Sequence, residues 1–138
     1  MKIIIHCSAT PPSLDIGADT IRDWHKAKGW SDIGYHYVIK RNGLIELGRD
    51  LDGDGDSEDE IGAHAYGFNR DLGVCLIGGI NDKGASDANY TLEQYLSLQV
   101  LVKDILSRYP DAEVLGHRDL PNVNKDCPCI DIKSLFGG

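Results

Sequence analysis

Apolar and polar positions follow two different periods along this chain. The run Ile3-Ile4-Ile5 closing on His6 reads as a buried strand over Lys2 to His6, since an unbroken branched run suits a strand covered on both faces. From Asp19 to Lys28 the period becomes helical. There Ile21, Trp24 and His25 recur at helix spacing ahead of Gly29, so Trp24 and His25 are expected to pack against the body of the protein. His36 to Lys40 and Leu44 to Gly48 flank Arg41-Asn42-Gly43, where Asn-Gly supplies the positive φ of a tight hairpin. Gly73 to Ile77 is a further apolar strand. Thr91-Leu92-Glu93-Gln94 is a capping box that opens the clearest helix, and Pro110 ends it. Its apolar stripe, Leu92, Tyr95, Leu96, Val102, Ile105, Leu106 and Tyr109, is expected to face a sheet. Glu113 to Gly116 reads as a short strand that delivers His117.

A hairpin among strands that alternate with helices predicts an α/β fold, a single domain over 1-138 with a mixed β-sheet flanked by helices. The 138 residues are enough to bury one core without covalent staples. No internal repeat is present, and the one biased stretch is Asp50 to Glu60. The opening apolar run is too short for a signal peptide and no later run is long enough to span a bilayer. A soluble, cytoplasmic protein with no membrane insertion is therefore expected. Its four cysteines are expected to stay reduced, with Cys7 and Cys75 buried as small hydrophobes. A net charge of -8 speaks against a nucleic-acid partner, because phosphate backbones are gripped by basic surfaces.

Candidate chemistry lies at opposite ends of the chain. If the fold brings His6, His117 and Cys127 together, they supply two imidazoles and a thiolate. Three protein ligands leave one coordination place open, which is the arrangement of catalytic zinc and not of a closed structural site. None of the three has finger-like spacing to another, so each taken alone is a weak signal, and a lone His ending an apolar strand is more often a hydrogen-bonded structural residue.

The stretches Ile5-His6-Cys7-Ser8-Ala9-Thr10, Gly34-Tyr35-His36-Tyr37, Ile61-Gly62-Ala63-His64-Ala65, Gly73-Val74-Cys75-Leu76 and Lys125-Asp126-Cys127-Pro128 carry a resemblance. Together and in this order they are similar to the N-acetylmuramoyl-L-alanine amidases, the small phage members above all, from about the third residue to nearly the C-terminus. The resemblance implies one Zn2+ per chain on His6, His117 and Cys127, with Tyr35 and Lys125 supporting catalysis. It also implies a place for His64 beside the substrate cleft, as a substrate contact or as a support for the metal site. His36 points to the other face of its strand and reads as structural.

Zinc so held makes water acidic near neutral pH and polarises an amide carbonyl. Lys125 would then stabilise the oxyanion, and Tyr35 would orient water or pass a proton. The implied substrate is peptidoglycan, cut between N-acetylmuramic acid and L-alanine in a phage-type lysis of the cell wall after another protein has opened the membrane. A monomer is expected. The alternative is a peptidoglycan-binding module of the same fold that does not cleave, and the retained Cys127 argues against it, since such modules typically lose a metal ligand.

Two features depart from the family pattern. Cys129 stands where relatives commonly have a small residue, a spare thiol near the metal. Asp50-Leu51-Asp52-Gly53-Asp54-Gly55 resembles the start of a calcium loop, but the twelfth position is Ile61 and Glu60 comes one place early. A solvated acidic loop is preferred here over Ca2+ at Asp50, Asp52 and Asp54.

Overall fold

In the computed structural model, which describes residues 1–136, the triple-isoleucine run becomes an inner strand of a five-stranded sheet. The strands are β1 (Lys2–Cys7), β2 (Tyr37–Ile39), β3 (Ile45–Leu47), β4 (Leu72–Leu76) and β5 (Glu113–Gly116). Their order across the sheet is β3-β2-β4-β1-β5. β1 runs parallel to both β4 and β5, β2 runs parallel to β4, and only β3 is antiparallel, at the edge. The sheet is mixed, as the hairpin among alternating elements predicts.

Helix α1 (Ala18–Ala27) covers one face and α2 (Leu92–Arg108) the other. The pleat divides the strand residues between them. Ile3, Ile5 and Cys7 of β1 and Leu72, Val74 and Leu76 of β4 pack with Leu98, Leu101, Val102 and Ile105 of α2. Val38, Cys75 and Ile77 pack with Ala18 and Ile21 of α1. His6 alternates with Ile5 and Cys7, so it emerges on the sheet face opposite α2.

The inner face of α2 differs from the stripe expected from the sequence. Leu92 and Leu96 are 68% and 53% exposed, whereas Leu98 is fully buried and Leu101 nearly so. Gln94 sets this rotation. It is fully buried, its Nε2 donates to the carbonyls of Ile77 (2.9 Å) and Ile39 (3.2 Å), and its Oε1 accepts from Thr91 N. A polar residue that satisfies two sheet-end carbonyls outweighs the apolar preference of Leu92 and Leu96. Thr91 completes the capping box by accepting from Gln94 N at 3.1 Å, a cap worth about 1 kcal/mol.

Local details position the rest. In the β2–β3 hairpin the positive φ falls on Gly43 alone (88°), while Asn42 accepts from Leu44 N through its Oδ1. The amide of Ala18, at the start of α1, donates to Glu46 Oε1 of β3 at 2.8 Å. Gly17 before it makes room for that carboxylate, since a Cβ there would come within 2.3 Å of it. A final short helix, α3 (Ile132–Leu135), is capped by Asp131 and was not foreseen from periodicity. Among the described residues no helix is long and apolar enough to cross a membrane.

A three-ligand cluster at the ends of the parallel strands

The carboxyl ends of parallel strands are where open α/β sheets gather ligands, and β1 and β5 end side by side. β1 brings His6 to its penultimate position, 1% exposed. β5 runs into a single 3-10 turn, His117–Asp119, in which Asp119 Oδ2 accepts from Gly116 N at 2.8 Å and fixes the start of the turn. The loop that follows folds back so that Arg118 N donates to Cys127 O at 2.9 Å. Cys7 N, just past His6, donates to Cys127 Sγ at 3.1 Å. Tyr90 OH pins the same loop from the α2 side through Pro128 O at 2.6 Å.

One nitrogen each of His6 and His117 and the Sγ of Cys127 consequently lie within 4.8 Å of one another. Burial holds the His6 imidazole well below its ordinary value of 6.5, helped by the neighbouring His64 and His117 rings and by Lys125. Burial and Lys125 lower His117 as well. Both rings are therefore neutral at pH 7 and offer lone pairs. Contact with the Cys7 thiol and burial push the Cys127 thiol up, so a thiolate here calls for a cation beside it. Two neutral imidazoles and a sulfur within reach of one ion fit a zinc ion with a place left open.

The residues expected to assist stand around this cluster. The Tyr35 ring centroid is 5.2 Å from that of His6, and burial keeps its phenol well above the ordinary 10.0, so it stays protonated and can donate. Lys125 is exposed, and its charge acts on both His6 and His117. Tyr35 also lines a cleft of about 340 Å³ together with Ser8, Ile21, Trp24, His25 and Lys28. His25 packs as expected, buried and accepting from Gly34 N at Nδ1. Trp24 does not. It is 43% exposed and forms part of the cleft wall, because its position on α1 lies at the margin of the buried stripe.

His36 is fully buried and structural, taking the Gly73 amide on Nδ1 and meeting the Glu60 carbonyl through Nε2. His64, expected at the cleft, has both ring nitrogens engaged inside the protein, Nδ1 with His6 Nε2 at 2.9 Å and Nε2 with the Asp71 carbonyl at 2.8 Å. Cys7 and Cys75 are buried, but Cys7 is also a neighbour of the cluster, which its place in an apolar run concealed. Cys129 Sγ turns to the Gly79 carbonyl at 3.2 Å.

The acidic loop gathers oxygens of Asp50, Asp52 and Asp54 within 4.8 Å of one another, and Asp50 Oδ1 is buried with no partner. Most of its carboxylates cap the loop's own amides: Asp50 accepts from Gly55 N, Asp52 from Asp54 N, Asp54 from Asp56 N and Asp56 from Glu58 N. Glu58 fastens the loop to the body through Tyr37 OH and Arg108.

The family model described as N-acetylmuramoyl-L-alanine amidase matches residues 1–130. The chain is 46% identical over 132 residues to the endolysin of Escherichia phage T7, an alignment that covers 95% of this chain and 82% of that protein. Among solved structures it superposes on N-acetylmuramoyl-L-alanine amidase LysC from Clostridium intestinale URNW with a TM-score of 0.77 and 27% identity, over 99% of this chain and 84% of that one. Bumblebee PGRP-SA, at 20% identity and a TM-score of 0.75 over 100% of this chain and 81% of that one, shares the fold.

Proposed function

The chain belongs to the N-acetylmuramoyl-L-alanine amidase family, and from that premise we propose that it is a zinc-dependent endolysin that hydrolyses the amide between N-acetylmuramic acid and L-alanine in peptidoglycan. The observation that carries this reading is the convergence of His6, His117 and Cys127 beside a cleft shared with Tyr35. A zinc ion held by these three residues would supply Lewis-acid polarisation of the scissile carbonyl and an acidic water at neutral pH.

The chain's own groups do the rest. His6, His117 and Cys127 would hold the ion, Cys127 as a thiolate that offsets one of its charges and the two histidines as neutral imidazoles. The ammonium of Lys125 stabilises the oxyanion that develops on the attacked carbonyl. Tyr35, which keeps its proton, donates toward the water or the leaving nitrogen. Trp24 and Lys28 offer an apolar face and a positive charge to the substrate along the cleft. The protein works as a monomer, is made in the host cytoplasm and reaches the wall once the membrane is opened.

Digestion of isolated peptidoglycan tests this reading. New α-amino groups of L-alanine are expected to appear, to cease after metal removal with a chelator and to return on addition of zinc. Binding to peptidoglycan without release of amines would favour the non-cleaving module of the same fold.

A further inference from the structure

The hydrogen bonds around His64 have a defined polarity. The Asp71 carbonyl, 2.8 Å from His64 Nε2, can only accept, so Nε2 carries the proton. In a neutral imidazole with one nitrogen donating, the other is left as the acceptor. Nδ1 is then an acceptor, and the group it meets among the described residues is His6 Nε2 at 2.9 Å. His6 must donate from Nε2, and its one remaining lone pair sits on Nδ1.

The seat of the His64 ring is built for this contact. A Cβ on Gly73 would lie 2.6 Å from His64 Cγ, and one on Gly62 would lie 2.9 Å from His64 Cδ2, so the two glycines let the ring lie against β4. Asn69 Oδ1 accepts from both His64 N (2.8 Å) and Ala65 N (2.9 Å), which fixes the backbone beneath the ring. The His64 and His6 rings meet edge to face, with centroids 5.0 Å apart and an interplanar angle of 88°.

We propose that His64 is a positioning residue for the metal site: a relay from the Asp71 carbonyl through His64 to His6 locks His6 in the tautomer whose Nδ1 is free to bind zinc. The inference rests on the zinc reading above. A histidine that binds a metal commonly gives its other N–H to a carboxylate or a carbonyl. Here a second imidazole takes that place and passes the constraint to the backbone of Asp71, just before β4, the strand next to β1.

Zinc affinity, measured by competition with a chromophoric chelator, tests the relay apart from hydrolysis. His64→Ala is expected to weaken zinc binding by about 10- to 100-fold. His64→Gln, whose amide can both accept and donate, is expected to recover part of the loss. Long-range proton–nitrogen correlation spectra of the zinc-loaded wild-type protein are expected to place the His6 proton on Nε2, a readout that holds even where His64→Ala does not fold. Unchanged zinc affinity in a folded His64→Ala, or a His6 proton on Nδ1, overturns the proposal. A wild-type protein that binds no zinc overturns it together with the hydrolase reading. Zinc binding with the expected tautomer but no amine release removes the hydrolase reading alone.

Discussion

The amide of Cys7 points at the sulfur of Cys127 from 3.1 Å, although 120 residues separate them. The contact ties the end of β1 to the C-terminal loop, and it directs a donor at the atom that would carry negative charge under the proposed zinc binding. Amide donors of this kind stabilise a thiolate as they do any anion. The ligand cluster is therefore held by backbone as well as by its side chains.

From this cluster follows the first expectation. His6→Ala, His117→Ala and Cys127→Ala should each lose zinc and hydrolysis together, read by metal analysis of the purified variants beside peptidoglycan digestion. Stoichiometric zinc in all three would sink the assignment.

Lys125→Ala and Tyr35→Phe should keep zinc and lose turnover. Removal of one oxyanion donor costs about 10²-fold or more in rate. Wild-type rates in both variants would show that neither group assists the reaction.

The docking of the acidic loop should depend on pH. Burial works to raise the Glu58 carboxyl, but the hydrogen bonds from Arg108 and Tyr37 outweigh it and hold the group below its ordinary 4.5. A depressed carboxyl contributes stability that is present above its unfolded value and is lost as the pH falls through its folded one. Arg108→Ala should thus lower stability at pH 7 by about 1 kcal/mol. The gap to wild type should narrow as the pH drops below 4.5. A gap of constant size down to acid-induced unfolding, followed by thermal melts, would refute the role of Glu58.

Calcium should not be required for hydrolysis. The carboxylates of the loop already cap its amides, Glu60 comes one place early, and the proposed chemistry belongs to zinc. Calorimetry is expected to find weak binding or none. Submicromolar affinity, or activity abolished by a calcium-selective chelator and restored by calcium, would make Asp50, Asp52 and Asp54 a genuine second metal site.

Much of the fold was legible because its signals are local. The triple isoleucine, the Asn-Gly turn, the Thr91–Gln94 box and the stop at Pro110 each act within a few residues, and the elements they predict fall within one or two residues of those observed. What periodicity misread depends on partners distant in sequence. Gln94 turns α2 by reaching carbonyls of β2 and of the residue after β4, so Leu98 is inside and Leu96 is not. The cap of α1 comes from Glu46, 28 residues away. The same holds at the site. The three ligand candidates were readable from their types and from a family resemblance, whereas the contact of Cys7 with Cys127 and the engagement of His64 with His6 exist only once β1, β4 and the loops have assembled.

The bond between Glu46 and the first turn of α1 has mechanical meaning. One wall of the cleft, with Trp24 and Lys28, rides on that helix, and the helix is moored at its N-terminus to the edge strand of the sheet. An edge strand has a neighbour on one side only and yields more readily than an inner one. The wall of the cleft is thereby tied to a hairpin that contributes no residue to the cleft lining.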